Sequence, residues 1–218
     1  MAHCEWWREA GSLVLLYDGL SPRLMCHYGD SSGLATILEA VGDQRVWANI
    51  HPDHSEAFQS RYKPASCVTM RRMYCERPVG AIGVAEPLNR SHLPEIEELL
   101  RQGEWVLFLP EALESGHYYG VRDEGRLIAM AGTHTSSVGY NIGALGSVFT
   151  HPDYRGKGLA AISSSHVLAS LGRAGIRRVV LNVREDNEVA QRVYERLGFR
   201  THCVYLDGEC AKVGGGAE

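Results

Sequence analysis

A run of glycines and basic residues follows an apolar stretch in the middle of the chain and could bind an anion. The stretch 146–150 (GSVFT) is followed by a turn at His151-Pro152-Asp153 and then by Arg155-Gly156-Lys157-Gly158, where a helical pattern begins. At such a junction several backbone N–H groups point to one place, and the helix dipole adds positive charge there. The order of strand, glycine turn and helix therefore predicts a site for a pyrophosphate.

The residue types around this turn suit that ligand. Gly156 and Gly158 allow a tight backbone turn and a close approach of the ligand, and Arg155 and Lys157 add charge beside the phosphates. The alternative is an ordinary strand-to-helix loop with two flexible glycines. The spacing matches neither the G-x-G-x-x-G dinucleotide fingerprint nor the G-x-x-x-x-G-K-[ST] nucleotide loop.

The next elements along the chain extend this pattern. The β-branched run 177–183 (RRVVLNV) predicts a buried strand, so that strand, helix and strand follow one another. Asn187 is a suitable N-cap for a further helix, and Gly198 is a suitable stop for it. Tyr194 falls on the buried face of that helix, where its hydroxyl needs a polar partner.

Two motifs at this spacing resemble those of the GNAT superfamily of N-acyltransferases. The first is R-x-x-G-x-A, at Arg155, Gly158 and Ala160. The second is N-x-x-A-x-x-x-Y-x-x-x-G-F, whose fixed positions are Asn187, Ala190, Tyr194, Gly198 and Phe199. The resemblance is close over residues 143–213 and looser from about residue 79 onward.

The resemblance implies acetyl-CoA, or another acyl-CoA, as the co-substrate. The pyrophosphate would then lie on the turn residues, which are Arg155, Gly156, Lys157, Gly158, Leu159 and Ala160. The pantetheine arm would run beside the preceding strand as an added strand, on the main chain of Val148, Phe149 and Thr150. Asn187 and Tyr194 would flank this arm.

The chemistry of acyl transfer requires three further groups. A main-chain N–H near Val148 or Phe149 could stabilise the oxyanion. Tyr194 matches the usual general acid of the superfamily by position, and its alternative role is that of a core tyrosine. A general base must deprotonate the amine. We take His134 as the candidate base, because histidine titrates near neutral pH.

The choice of base stays open at this point. His134 could instead be a buried structural histidine, and His117, Glu111 and Glu114 are further candidates. His151 begins the turn and is expected to be a turn residue rather than a base.

The chain is expected to form two domains of an α/β fold with a mixed sheet. Residues 79–218 would form the GNAT acyltransferase domain. Residues 1–78 predict the order β-β-α-β-α-β and would form a smaller α/β domain. Their architecture is similar to the degenerate first half of tandem acyltransferases such as glycine N-acyltransferase-like proteins.

Composition narrows the class of function. The net charge is −4 and neither half of the chain is basic, which argues against nucleic acid as a partner. No apolar run approaches the length of a membrane span, and six cysteines without a C-x-x-C pair suit a cytoplasmic protein. His51 and His54 could suggest a metal site, but a helix-capping turn is the preferred reading, so no metal is expected.

The sequence thus predicts a cytoplasmic N-acetyltransferase that acts on a primary amine of a small molecule or an amino acid. The amine would attack directly in a ternary complex, and the protein would be a monomer or a homodimer. The alternatives are a catalytically silent acyl-CoA-binding or sensor module and a protein N-acetyltransferase.

Overall fold

The chain forms two compact units in a computed structural model that describes residues 3–76, 80–103 and 108–214. The first unit comprises Met1–Arg71, Arg184–Asp186 and Cys203–Glu218, and the second comprises Arg72–Val183 and Asn187–His202. The first unit is thus discontinuous in sequence. The expected domain boundary, between residues 78 and 79, lies outside the described residues and stays a prediction.

The first unit contains a mostly antiparallel group of strands and two short helices. Its sheet has the order β1-β2-β3-β4-β11-β5, with β3 and β4 parallel and β4 and β11 antiparallel. Strands β5 and β11 continue into the second unit. The elements are β1 (Cys4–Glu9), β2 (Ser12–Tyr17), β3 (Leu24–Gly29), α1 (Leu34–Ala40), β4 (Arg45–Ile50), α2 (Ser55–Gln59), β5 (Tyr62–Cys75) and β11 (Arg200–Lys212).

The core of the first unit lies between one face of this sheet and the helices. In β2 the buried residues alternate with half-buried ones, as expected of a strand with one covered face. Helix α1 buries Leu34, Ile37 and Leu38 in the same cluster. Tyr62 is also fully buried there, and its hydroxyl donates a hydrogen bond to the carbonyl oxygen of Asp43 at 2.6 Å.

The second unit is built on a mixed sheet with the order β5-β10-β9-β8-β7-β6. Strands β6 to β9 pair antiparallel, whereas β9 and β10 are parallel. Parallel and antiparallel pairs thus occur together, and the predicted α/β fold with a mixed sheet is confirmed. The elements are β6 (Glu86–Pro87), α3 (Leu93–Leu100), β7 (Tyr119–Asp123), β8 (Arg126–Ser137), β9 (Ile142–Thr150), α4 (Leu159–Arg173), β10 (Arg178–Arg184) and α5 (Glu188–Arg196).

Helices α3 and α4 cover opposite faces of this sheet. Met130 packs in a hydrophobic cluster that includes Ile96 of α3. Its neighbour Ala131 packs in another cluster, which includes Val167 of α4. Successive residues of a strand point to opposite faces, so the two helices must lie on different sides. None of the helices that the structure describes is long and apolar enough to cross a lipid bilayer.

Gly132 of β8 gives the space that a buried tyrosine needs. A Cβ built on Gly132 would overlap the ring of Tyr118, which is fully buried. The ring therefore lies directly on the backbone of β8. No larger residue fits at position 132 unless the tyrosine moves.

We expect Gly132→Ala to destabilise the protein by roughly 1–3 kcal/mol, because the added methyl group overpacks a rigid core. Urea unfolding measures this change. Gly172→Ala is the matched control, since a Cβ at this helical, exposed glycine meets no atom within 4 Å. The control should raise stability by roughly 0.5–1 kcal/mol. Equal stability of Gly132→Ala and the wild type would contradict the contact with Tyr118.

Candidate functional site

The turn after β9 forms as the sequence predicts. His151 is buried, and its backbone N–H donates to the carbonyl oxygen of Ile128 at 2.8 Å. Its Nδ1 accepts a hydrogen bond from the backbone N–H of Asp153 at 3.3 Å, which caps a short 3₁₀ turn over Pro152–Tyr154. His151 is thus a structural residue of the turn.

Both glycines of the turn have left-handed backbone conformations. The φ angles of Gly156 and Gly158 are 78° and 76°, and Gly158 is the N-cap of α4. A Cβ built on either glycine meets no atom within 4 Å, so the space in front of them is open. A side chain at position 158 would be strained at this φ and would point into that space.

The start of α4 presents main-chain donors to this open space. The first hydrogen bond from this turn runs from the N–H of Ile162 to the carbonyl oxygen of Gly158, so the amides of Leu159, Ala160 and Ala161 have no acceptor within the helix. No side chain caps them, and the first turn contains no acidic residue. The helix start is therefore suited to an anion.

Two exposed cations flank the same turn. The Nε of Arg155 donates to the carbonyl oxygen of Thr150 at 3.4 Å, and the Nζ of Lys157 lies 4.7 Å from the ring centroid of Tyr154. Neither cation forms an ion pair with a residue that the structure describes. Their charge is thus available to a phosphate group.

Strand β9 separates from β10 shortly before this turn. The two strands pair only at Ile142–Ala144, opposite Arg178–Val180. Both strands continue beyond these pairs, β9 to Thr150 and β10 to Arg184. Residues 145–150 therefore have a sheet edge that no described strand occupies.

The direction of main-chain groups along β9 follows from its pairing with β8. Since the amide of His151 donates to β8, alternation directs the amide of Phe149 to β8 as well. The main-chain groups of Val148 and Thr150 then point to the open edge, in agreement with the bond from Arg155 to Thr150. Of the three predicted strand positions, Val148 and Thr150 thus have main-chain groups on the open edge, whereas those of Phe149 face β8.

Bulges interrupt both strands beside the open edge. The register between β8 and β9 shifts between the pairs Met130/Phe149 and Gly132/Gly146, which leaves one extra residue in β9. Ser147 lies in this bulge with a φ of 49°, a conformation that costs a non-glycine residue roughly 1–2 kcal/mol. The bulge turns the backbone immediately before Val148.

The second bulge, in β8, contains His134. The register shifts again between the partners of Thr133 and Thr135, so His134 is the extra residue of β8. A Cβ on Gly146 would overlap the His134 imidazole, which shows that the ring lies on the glycine. His134 is exposed, so it is not the buried structural histidine that was its alternative. Its ring lies next to the Ser147 bulge.

The other candidate bases lie in different surroundings. Nδ1 of His117 is 2.9 Å from the Oγ of Ser170 on α4, and burial, with a smaller effect of Arg173, lowers the pKa of His117. Glu114 forms an ion pair with Arg90 at 3.1 Å, and Glu111 is exposed. His134, by contrast, lies against Gly146 of β9 beside the bulge.

Tyr194 and Asn187 are held by α5. Asn187 is the N-cap, and its Oδ1 accepts a hydrogen bond from the N–H of Ala190 at 3.0 Å, so this oxygen has a structural role. Tyr194 is only 8% exposed and packs edge-on against Phe199, with ring centroids 6.0 Å apart. Burial raises the pKa of Tyr194 to about 12, so the phenol keeps its proton at neutral pH.

Two polar residues of the site were missed by the sequence analysis. The hydroxyl of Tyr118 donates to the carbonyl oxygen of Thr133 at 3.0 Å and lies 3.3 Å from the Oγ of Ser147. Tyr118 precedes β7 and Ser147 belongs to β9, so the contact depends on how the strands pair. No local pattern around either residue could reveal it.

Three histidines of the first unit lie close together. Nδ1 of His27 is 3.0 Å from Nδ1 of His54, and the His51 ring centroid is 5.5 Å from that of His54. Within residues 3–76, 80–103 and 108–214, no group of three His, Cys, Asp or Glu side chains could hold a metal ion.

Comparison with known proteins agrees with this architecture. The model of the acetyltransferase (GNAT) family matches residues 36–199. A GCN5-related N-acetyltransferase from Kribbella flavida superposes with a TM-score of 0.71 at 14% identity, over 97% of this chain and 90% of that chain. One from Sphaerobacter thermophilus gives a TM-score of 0.66 at 17% identity, over 96% and 79% of the two chains.

Curated relatives are similar over shorter stretches. A mycothiol acetyltransferase from Geodermatophilus obscurus is 44% identical over 64 residues, which are 28% of this chain and 21% of the relative. An acetyltransferase from Yersinia pestis is 36% identical over 83 residues, 36% of this chain and 58% of the relative. The chain thus spans less than two thirds of the length of these relatives.

The raised pKa of Tyr194 predicts a specific alkaline behaviour. Its phenol should ionise near pH 12 rather than near the ordinary value of about 10. The folded state then holds a proton that the unfolded state loses, so the contribution of Tyr194 is complete below about pH 10 and is lost as the pH rises to about 12. The free energy of unfolding should fall by roughly 2–3 kcal/mol from this group as the pH rises over that range.

Absorbance at 295 nm, recorded for the wild type minus Tyr194→Phe across this pH range, isolates the titration of Tyr194. Urea unfolding of both proteins at several alkaline pH values measures the change in stability. A difference step near pH 10 in the folded protein would contradict the buried position of the phenol.

Proposed function

Because the chain belongs to the GNAT acetyltransferase family, we propose that it transfers an acetyl group from acetyl-CoA to a primary amine of a small molecule or an amino acid. The observation that carries this proposal is the open edge of β9 that leads into the amide-rich turn at the start of α4. A thioester ligand with a long polar arm and a pyrophosphate requires both features in this order.

The turn fits the pyrophosphate part of coenzyme A. The space in front of Gly156 and Gly158 is open, and the first amides of α4 have no acceptor within the helix. We assign these amides, together with Arg155 and Lys157, to the two phosphates. Charged phosphate oxygens would complete the helix end and neutralise both cations.

The open edge of β9 fits the amide-containing arm of the same ligand. Unpaired main-chain groups of a strand need hydrogen-bond partners, and an extended chain with amide groups can supply them. Val148 and Thr150 offer such groups at the edge, and α5, with Tyr194, is assigned to the flank of the arm. This assignment keeps Asn187 as a residue that holds α5 rather than as a direct ligand.

The residues of the chain then have distinct roles in acyl transfer. The bound ligand supplies an activated acetyl thioester. The N–H of Val148, next to the bulge, donates to the thioester carbonyl oxygen and stabilises the negative charge that develops there. His134 accepts a proton from the attacking amine at a ring nitrogen. Tyr194 donates its phenolic proton to the departing sulfur, which suits a group that stays protonated at neutral pH.

Binding and turnover must be measured separately to test this proposal. Isothermal titration with acetyl-CoA measures binding, and an assay of released thiol measures transfer to a panel of primary amines, amino acids and peptides with a free N-terminus. Release that depends on a small amine supports the proposal. Binding without transfer to any acceptor would instead favour an acyl-CoA-binding module, and transfer to peptides alone would favour a protein N-acetyltransferase.

We expect Gly158→Val to weaken the binding of coenzyme A by about tenfold or more, because the side chain would strain the turn and occupy the phosphate position. Titration calorimetry gives the Kd. Gly175→Val is the matched control: Gly175 follows the other end of α4 with a similar φ of 87°, and a Cβ there also meets open space. Unchanged affinity of Gly158→Val would move the phosphate site elsewhere.

Tyr194→Phe should lower kcat by roughly 10²–10⁴-fold, the usual contribution of a general acid, and leave the Kd for coenzyme A within about twofold. Steady-state kinetics and calorimetry measure the two quantities. Tyr62→Phe is the control, since it removes another buried phenol whose pKa is about 12 from the first unit. An undiminished kcat would remove the acid role of Tyr194.

A further inference from the structure

Ser147 has an unusual backbone for a residue with a side chain. Its φ of 49° lies in the left-handed region that favours glycine, and it occupies the extra position of β9 between Gly146 and Val148. Such a conformation persists only where surrounding contacts hold it.

A single buried hydroxyl supplies such a contact. Tyr118 is fully buried, and its hydroxyl donates to the carbonyl oxygen of Thr133 in β8. With its proton used there, the Tyr118 oxygen can accept a hydrogen bond from the Ser147 hydroxyl, 3.3 Å away. One oxygen atom therefore joins β8 to the bulge of β9.

The tyrosine itself is fixed from several directions. Gly132 leaves the space in which its ring lies, and Phe108 packs edge-on at a centroid distance of 6.0 Å. The burial of the ring raises the pKa of Tyr118, so its hydroxyl is neutral and remains a donor to Thr133. The contact to Ser147 therefore starts from a rigid support.

We propose that Tyr118 and Ser147 are positioning residues that aim the N–H of Val148 at the thioester carbonyl. The inference rests on the proposed function and adds the two residues that hold the Val148 N–H in place. Val148 directly follows Ser147, so a change in the bulge rotates the peptide that carries this N–H. Neither side chain needs to touch the ligand for this effect.

Two variants separate positioning from folding. Ser147→Gly removes the hydroxyl of a buried residue but favours the left-handed backbone that this position already has, so the variant should remain folded. Tyr118→Phe removes the other half of the same contact. Tyr62→Phe is the control, since it removes a fully buried hydroxyl bonded to Asp43 in the first unit.

Each variant should lower kcat by about tenfold, because a misaligned donor stabilises the oxyanion less well. The Kd for coenzyme A and the KM for acetyl-CoA should stay within about twofold, since the turn at Gly158 is untouched. The kcat of the double variant should be no lower than that of either single variant, because both substitutions remove the same contact. Tyr62→Phe should retain the wild-type kcat.

A spectroscopic measurement tests the same point without an acceptor. The carbonyl ¹³C resonance of [1-¹³C]acetyl-CoA should move downfield when it binds the wild type, since a hydrogen bond polarises the carbonyl. In Ser147→Gly and Tyr118→Phe the bound resonance should lie closer to that of free acetyl-CoA.

The outcomes separate this inference from the proposed function. If the wild type binds acetyl-CoA, and both folded variants keep its kcat and its bound carbonyl resonance, the positioning role is overturned while the function stands. If the wild type does not bind acetyl-CoA, the proposed function fails and the inference fails with it. If no amine is acetylated, the carbonyl resonance alone decides the role of Tyr118 and Ser147.

Discussion

Main-chain hydrogen-bonding groups at a strand edge require partners, and this requirement governs the site. Strand β9 leaves β10 after three pairs, so its residues 145–150 present an edge that no described strand satisfies. Such an edge is a liability in most sheets because another strand can add to it. Here it lies immediately before the glycine turn, where the amides of α4 also lack acceptors within the helix. In the proposed complex, one ligand with an extended amide-containing arm and a pyrophosphate would supply both sets of hydrogen-bond partners.

On the side away from its open edge, β9 pairs irregularly with β8. A bulge in β9 and a bulge in β8 offset each other, so the register beyond them is restored. Each bulge lies beside a glycine that receives a ring: Gly132 receives Tyr118, and Gly146 receives His134. The proposed base and the proposed support of the oxyanion donor therefore result from the same irregular region.

Local features of the site could be read from the sequence, and features that depend on pairing could not. The turn at Gly156 and Gly158 and the cap at Asn187 involve residues close in sequence, and both form as predicted. The direction of Phe149 required the partner strand, because one extra residue changes which amides face outward. Tyr118 and Ser147 are 29 residues apart, and nothing near either one indicates their contact.

Secondary structure follows the same division. The strand–helix–strand unit from β9 to β10 was predicted, because a glycine turn marks the start of its helix and a β-branched run marks its second strand. Strand β1 was not predicted, because its residues are mostly exposed. Strand β11 was not predicted either, because polar residues and Gly208 interrupt its apolar pattern. The second predicted helix of the first unit forms as the short helix α2, which ends at Gln59 because β5 already begins at Tyr62.

The discontinuous first unit has a consequence for biosynthesis. Strand β11 pairs with β4, and the bond between Trp47 and Asp207 joins residues 160 positions apart. While the ribosome is still adding the residues between them, β4 lacks this neighbour, and the hydrophobic cluster lacks Cys210. In a nascent chain the N-terminal strands would therefore stay incompletely paired until late in translation. During this period their exposed edges would be the sites at which chaperones bind.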